Sequence, residues 1–105
     1  MNQEAIRHTG TYPDIYLKDR RTLVVVLHTA RKDVTGCSVV YFPRTDRQEI
    51  KKAQMQCVLR DERFDTYQLE ISFRKVARYQ KYYFEINDQG KLWYLTAWGI
   101  GDQIP

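Results

Sequence analysis

The chain has 105 residues, 43% hydrophobic and 13% aromatic, with 17 Lys and Arg against 13 Asp and Glu for a net charge of +4. That is enough for one hydrophobic core, and the scattered basic residues argue for a solvated surface rather than a dedicated polyanion site. No apolar run approaches the roughly 20 residues of a membrane helix, and Met1 to Ile6 lacks the basic and apolar regions of a leader peptide.

Taken in order, Glu4 to His8 reads as a short first strand, broken by the turn-rich Thr9-Gly10-Thr11-Tyr12-Pro13-Asp14. Ile15-Tyr16-Leu17 forms a second brief extended piece, closed by the charged turn Lys18 to Arg21. Thr22 to Thr29 carries the strongest strand signal, because Leu23 to Leu27 is unbroken and its three consecutive valines favour a pleated surface. A strand apolar on both sides needs both faces covered, and one cover can come from a domain outside this chain. After the polar turn at Arg31 to Gly36, Cys37 to Phe42 is the next strand, ended by Pro43. Arg47 to Leu59 could pass for a helix. Its Ala53, Met55, Cys57 and Leu59 nevertheless recur at period two, so Lys52 to Arg60 is read as strand.

Beyond the turn Asp61-Glu62-Arg63 lies the stretch that organises the rest, Phe64 to Trp98. Tyr67, Leu69 and Ile71 alternate with Thr66, Gln68 and Glu70, and Tyr82, Phe84 and Ile86 alternate with Tyr83, Glu85 and Asn87. Arg74 to Arg78 links the two. Asn87-Asp88-Gln89-Gly90 supplies the positive-φ positions of a tight hairpin into a third strand containing Leu92 to Leu95. Trp98 to Gly101 leaves that strand, and Asp102 to Pro105 reads as the start of a connector. Seven or eight short strands spaced by turns predict an all-β fold, an antiparallel sandwich of immunoglobulin-like character forming one domain over residues 1–105.

Little in the sequence points to chemistry. His8 and His28 have no Cys, Asp or Glu at ligand spacing, so no metal site is expected. The carboxylate pairs Asp61/Glu62 and Glu62/Asp65 fall in turns, where solvated surface is the ordinary explanation. No nucleophile arrangement and no glycine-rich phosphate loop is visible, and no cofactor is expected. Two cysteines, Cys37 and Cys57, are too few for a disulfide framework; reduced, buried thiols and a cytoplasmic location are the expectation, with a bridge between neighbouring strands left open. What remains is aromatic surface. Tyr12, Tyr16, Tyr79, Tyr83, Trp93 and Trp98 cannot all face inward under this alternation, and exposed rings suit sugar stacking or a protein interface. Trp98, beside two glycines at the exit of the last long strand, is the leading interface candidate.

Four segments in register resemble a known domain: Glu4-Ala5-Ile6 with His8; Leu23-x-Val25-x-Leu27-His28-Thr29 with Lys32-Asp33-Val34; Phe64-Asp65-x-Tyr67-x-x-Glu70-Ile71; and Arg78-Tyr79 with Tyr83-Phe84-Glu85-Ile86. Together they are similar to the N-terminal domain of the neopullulanase, cyclomaltodextrinase and maltogenic amylase group, carbohydrate-binding module family 34 of glycoside hydrolase family 13. The resemblance implies a sandwich ahead of a (β/α)8 catalytic barrel that lies beyond residue 105, in which case the chain ends at Pro105 as a cut-out domain. It also implies a non-catalytic role in forming a homodimer and narrowing the cleft in favour of cyclodextrins and short maltooligosaccharides over starch, with an α-1,4/α-1,6-glucan or cyclodextrin as the sugar partner. Many relatives carry a Gly-Asp-Pro-Tyr-Glu-Trp-like loop after the fourth strand. Here the matching stretch is Phe42-Pro43-Arg44-Thr45-Asp46-Arg47, without either aromatic, so only the location of Arg44 to Arg47 carries over. The carbohydrate or interface candidates are therefore Tyr12, Tyr16, Arg44, Tyr79, Trp93 and Trp98. Two other readings compete: a generic immunoglobulin-like interaction module, and a single-strand nucleic-acid binder using Arg74, Lys75, Arg78 and Lys81 with Tyr79, Tyr82 and Tyr83.

Overall fold

The computed structural model describes residues 1–43, 49–75 and 80–105. Among these, nine strands follow a single 3-10 turn at Gln3–Ala5: β1 (Ile15–Asp19), β2 (Thr22–Ala30), β3 (Gly36–Pro43), β4 (Lys51–Gln54), β5 (Gln56–Arg60), β6 (Phe64–Ser72), β7 (Gln80–Asp88), β8 (Lys91–Thr96) and β9 (Gly99–Gly101). They form two antiparallel sheets, one ordered β1-β2-β6-β5 and the other β4-β3-β7-β8-β9. Alternation explains the packing. Val25, Leu27, Tyr67 and Ile71 from the first sheet meet Cys37, Val39, Phe84 and Ile86 from the second in one buried cluster. The expected all-β sandwich of facing antiparallel sheets is the fold observed.

The apolar run in β2 is buried on both faces: Val24 and Val25 are 1% and 0% exposed, Val26 and Leu27 9% and 0%. Its second cover comes from within the chain, not from another domain. In register, Val24 lies between Tyr16 of β1 and Glu70 of β6. The backbone of Val26 is bonded on both sides to the N-terminal segment: its N–H donates to the Asp14 carbonyl at 2.7 Å, and its carbonyl accepts from His8 Nδ1 at 2.7 Å. Glu4 to His8 is accordingly not the strand expected of it. Only Arg7 pairs, exchanging two backbone bonds with His28, because β1 takes up the rest of that edge.

The segment Lys52 to Arg60 is extended as expected, but it divides. β4 belongs to one sheet and β5 to the other, with Met55 at the corner. Met55 is 3% exposed, its N–H donates to the Cys37 carbonyl at 2.9 Å, and the Cys37 thiol points at its sulfur at 3.7 Å. Period two cannot show a change of sheet, because both halves stay extended. Beyond the corner a bulge between Cys57 and Leu59 resets the register against β6, and every residue of β5 is exposed. Cys37 is thus a buried free thiol, pushed up to about 12 by desolvation, whereas Cys57 is free but exposed, contrary to the expectation that both thiols are buried.

Two further expectations change. Asp65 is not a solvated turn carboxylate; it is 0% exposed at the start of β6, where Arg60 grips both its oxygens at 2.7 and 2.9 Å and the Lys32 N–H donates at 3.0 Å. Those bonds, Arg60's first, hold its carboxyl below the usual range. Asp61 does stay at the surface, and its side chain accepts the Phe64 and Arg63 N–H groups. At the other end, Gly99 to Gly101 does not simply leave the last strand but returns along it as β9. The Gln89-Gly90 hairpin has positive φ at both positions, 52° and 94°, as the motif requires.

Candidate functional site

β8 and β9 are joined by a turn of two residues, Ala97 and Trp98. Thr96 fixes it: its hydroxyl accepts the Trp98 N–H at 3.1 Å and reaches the Gly99 carbonyl at 3.4 Å. Gly99 takes φ +112°, a conformation that a side chain rarely permits. The backbone of Trp98 is therefore pinned on both sides while its ring stands 98% exposed.

Beside this turn opens a groove of about 990 Å³. Phe42 and Tyr94, 7% and 6% exposed, lie in its lining, and Tyr83 meets Tyr94 edge to face at 6.1 Å. Ile104, 77% exposed, lies in the C-terminal part of the lining.

The lining also includes His8, Thr9 and Gly10. His8 is tied twice: Nδ1 donates to the Val26 carbonyl, which leaves Nε2 to accept from the Tyr82 hydroxyl at 2.7 Å. Burial lowers its pKa, partly offset by the Val26 bond and the nearby Asp14. Asp14, itself buried, accepts the Thr9 N–H at 2.8 Å and lies 3.2 Å from His28 Nε2, whose ring reaches Thr66 Oγ1 with its other nitrogen. Two histidines that look solitary in sequence are thus both engaged in space. The signal that could have found this was weak: Asp14 precedes β1 directly and so sits against the sheet edge.

The sequence candidates separate into distinct places. Tyr12 is 76% exposed and meets half-buried Tyr16 edge to face at 5.3 Å, beside the first sheet. Trp93 is half-buried against the core with Lys91 Nζ 4.4 Å above its ring, and its buried Nε1 has no hydrogen-bond partner among the described residues. Trp98 stands at the groove. Arg44 and Tyr79 lie outside the described residues, as do Arg78 and the Arg44 to Arg47 loop site. Among the described residues, no ring contact joins the Tyr12–Tyr16 pair to either tryptophan. Sequence reasoning missed Phe42 and Tyr94 as groove lining, since both read as ordinary strand residues.

Among the described residues that line this groove there is no Asp or Glu. Tyr82, offered as a stacking ring for nucleic acid, is half-buried with its hydroxyl on His8. Among the described residues there is no group of three or more His, Cys, Asp or Glu that could hold a metal, and no helix is long and apolar enough to cross a membrane.

No curated protein sequence matches the chain. Among solved structures, one titled cyclomaltodextrinase is similar at a TM-score of 0.92 and 20% identity, covering 100% of this chain and 18% of that one. At that identity the likeness speaks for the fold, and this chain spans less than a fifth of that structure's length. The family described as alpha amylase, N-terminal ig-like domain, matches residues 1–105 from end to end. The chain belongs to that family of alpha-amylase N-terminal immunoglobulin-like domains.

Proposed function

We propose that residues 1–105 form the non-catalytic N-terminal domain of a longer α-glucan hydrolase of the neopullulanase and cyclomaltodextrinase type. The domain packs in a homodimer and shapes the substrate cleft, and it binds maltooligosaccharides weakly, at about millimolar strength at best. Hydrolysis belongs to a catalytic (β/α)8 barrel on the same polypeptide, and the free thiols Cys37 and Cys57 suit a reducing cytoplasm. The observation that carries this reading is the family match over the whole chain, with the same fold occupying 18% of a cyclomaltodextrinase.

The test has two parts. The codons after Pro105 should encode a barrel of several hundred residues, and purified residues 1–105 should release no glucose or maltose from cyclodextrin or pullulan. Turnover by the purified domain, or a gene without a barrel, refutes the proposal.

A further inference from the structure

We propose that the groove at the β8–β9 turn is the seat of the same polypeptide's catalytic domain, with Trp98 as its anchor. This rests on the functional reading above, which places a barrel after residue 105. Three observations lead to it. Trp98 is the most exposed large apolar side chain of the described residues, at 98%, yet its backbone is fixed by Thr96 and by the glycine conformation at position 99. A ring held out on a rigid turn loses little freedom when it is covered. The groove beside it is already built, with Phe42 and Tyr94 buried in its lining. Finally, Gln103, Ile104 and Pro105 lie along the same groove, so a domain continuing from Pro105 starts at its rim.

Magnitudes favour this occupant over a second copy of the chain. An indole buries on the order of 150–250 Å², and with Ile104 the exposed patch amounts to a few hundred Å². A stable contact between separate molecules needs about 1,000 Å² or more. A body tethered on the same polypeptide by a short linker would meet the groove at an effective concentration of about millimolar, so a small patch suffices.

The experiment uses the full-length enzyme carrying Trp98→Cys or, in a second variant that keeps the indole, Ala97→Cys. Maleimide labelling of each introduced thiol is followed by peptide mass spectrometry and compared with the urea-unfolded chain. The expected result is at least tenfold slower labelling in the folded enzyme, unchanged when the enzyme is diluted until light scattering shows monomer only. Labelling of both variants within twofold of the unfolded rate overturns the proposal. Protection that disappears as the enzyme passes from dimer to monomer also overturns it, because that places a second copy in the groove. These outcomes are separable from failure of the functional reading: a gene without a barrel sinks both, whereas free labelling in a chain that carries one sinks only the docking.

Discussion

The corner at Met55 and the turn at Trp98 are both brief interruptions of extended chain, and they are opposites. Met55 is 3% exposed and carries the chain from one sheet to the other, with its N–H on Cys37 and its sulfur against the Cys37 thiol. Trp98 is 98% exposed, joins two strands of the same sheet, and its backbone bonds are all local. The difference is one of dependence. The corner holds two layers together, so its side chain is a structural component; the turn is closed by Thr96 and Gly99, so its side chain is spare and available to a neighbour.

The sharpest way to break this comparison is to truncate the corner. Met55→Ala should cost about 3 kcal/mol, because it removes a buried side chain at the crossing from β4 to β5 and leaves a cavity. Urea unfolding of residues 1–105 measures this, and a loss under about 1 kcal/mol would mean that the corner is not structural. Next in size is the clamp just beyond the corner. Arg60→Ala leaves Asp65 buried with only the Lys32 N–H, and should lower the urea midpoint at neutral pH, by less than Met55→Ala does. Because Asp65 titrates below its ordinary value when folded, its contribution is present above the unfolded carboxyl pKa and is lost as pH falls through the folded one. Unfolding midpoints should therefore drop on acidification below about pH 4, and Asp65→Asn should flatten that drop.

His8 sharpens the comparison from the groove side, being tied to β2 and Tyr82 where Trp98 is tied to nothing outside its turn. His8→Gln should cost about 1 kcal/mol at pH 7.5, the worth of its hydrogen bonds. The sign of its pH effect follows from its lowered pKa. The unfolded chain binds the proton first, so stability is complete above about pH 6.5 and declines as pH falls toward the folded value. Between pH 7.5 and 5.5 the wild type should lose stability through this group, and the Gln variant should lose less. The smallest effect belongs to the turn itself: Trp98→Ala should shift the unfolding free energy of the domain by less than about 0.5 kcal/mol. A large loss there would show that the ring is structural after all.

Much of the architecture was legible in the residues. The valine run of β2, the alternation in β6 and β7, and the Gln89-Gly90 hairpin each follow from local rules, since side-chain parity and positive φ are properties of a few adjacent residues. Trp98 stood out for the same reason, as a large ring between a threonine and two glycines. The alternation from Ala53 to Leu59 was equally visible, yet it hid the passage between sheets at Met55 and the bulge that exposes Cys57. Asp65 looked like one more turn carboxylate until Arg60 folded onto it.

The sequence alone settled that this chain is extended and layered, because period two, β-branched runs and turn residues act within a few positions of each other. Only the tertiary structure decided which layer each half of Lys51 to Arg60 joins, that Asp14 reaches His28 and Tyr82 reaches His8, and that Phe42 and Tyr94 line a groove beside Trp98. Those pairings join residues from 14 to 74 positions apart, and such contacts are set by how the two sheets stack, which no local pattern encodes.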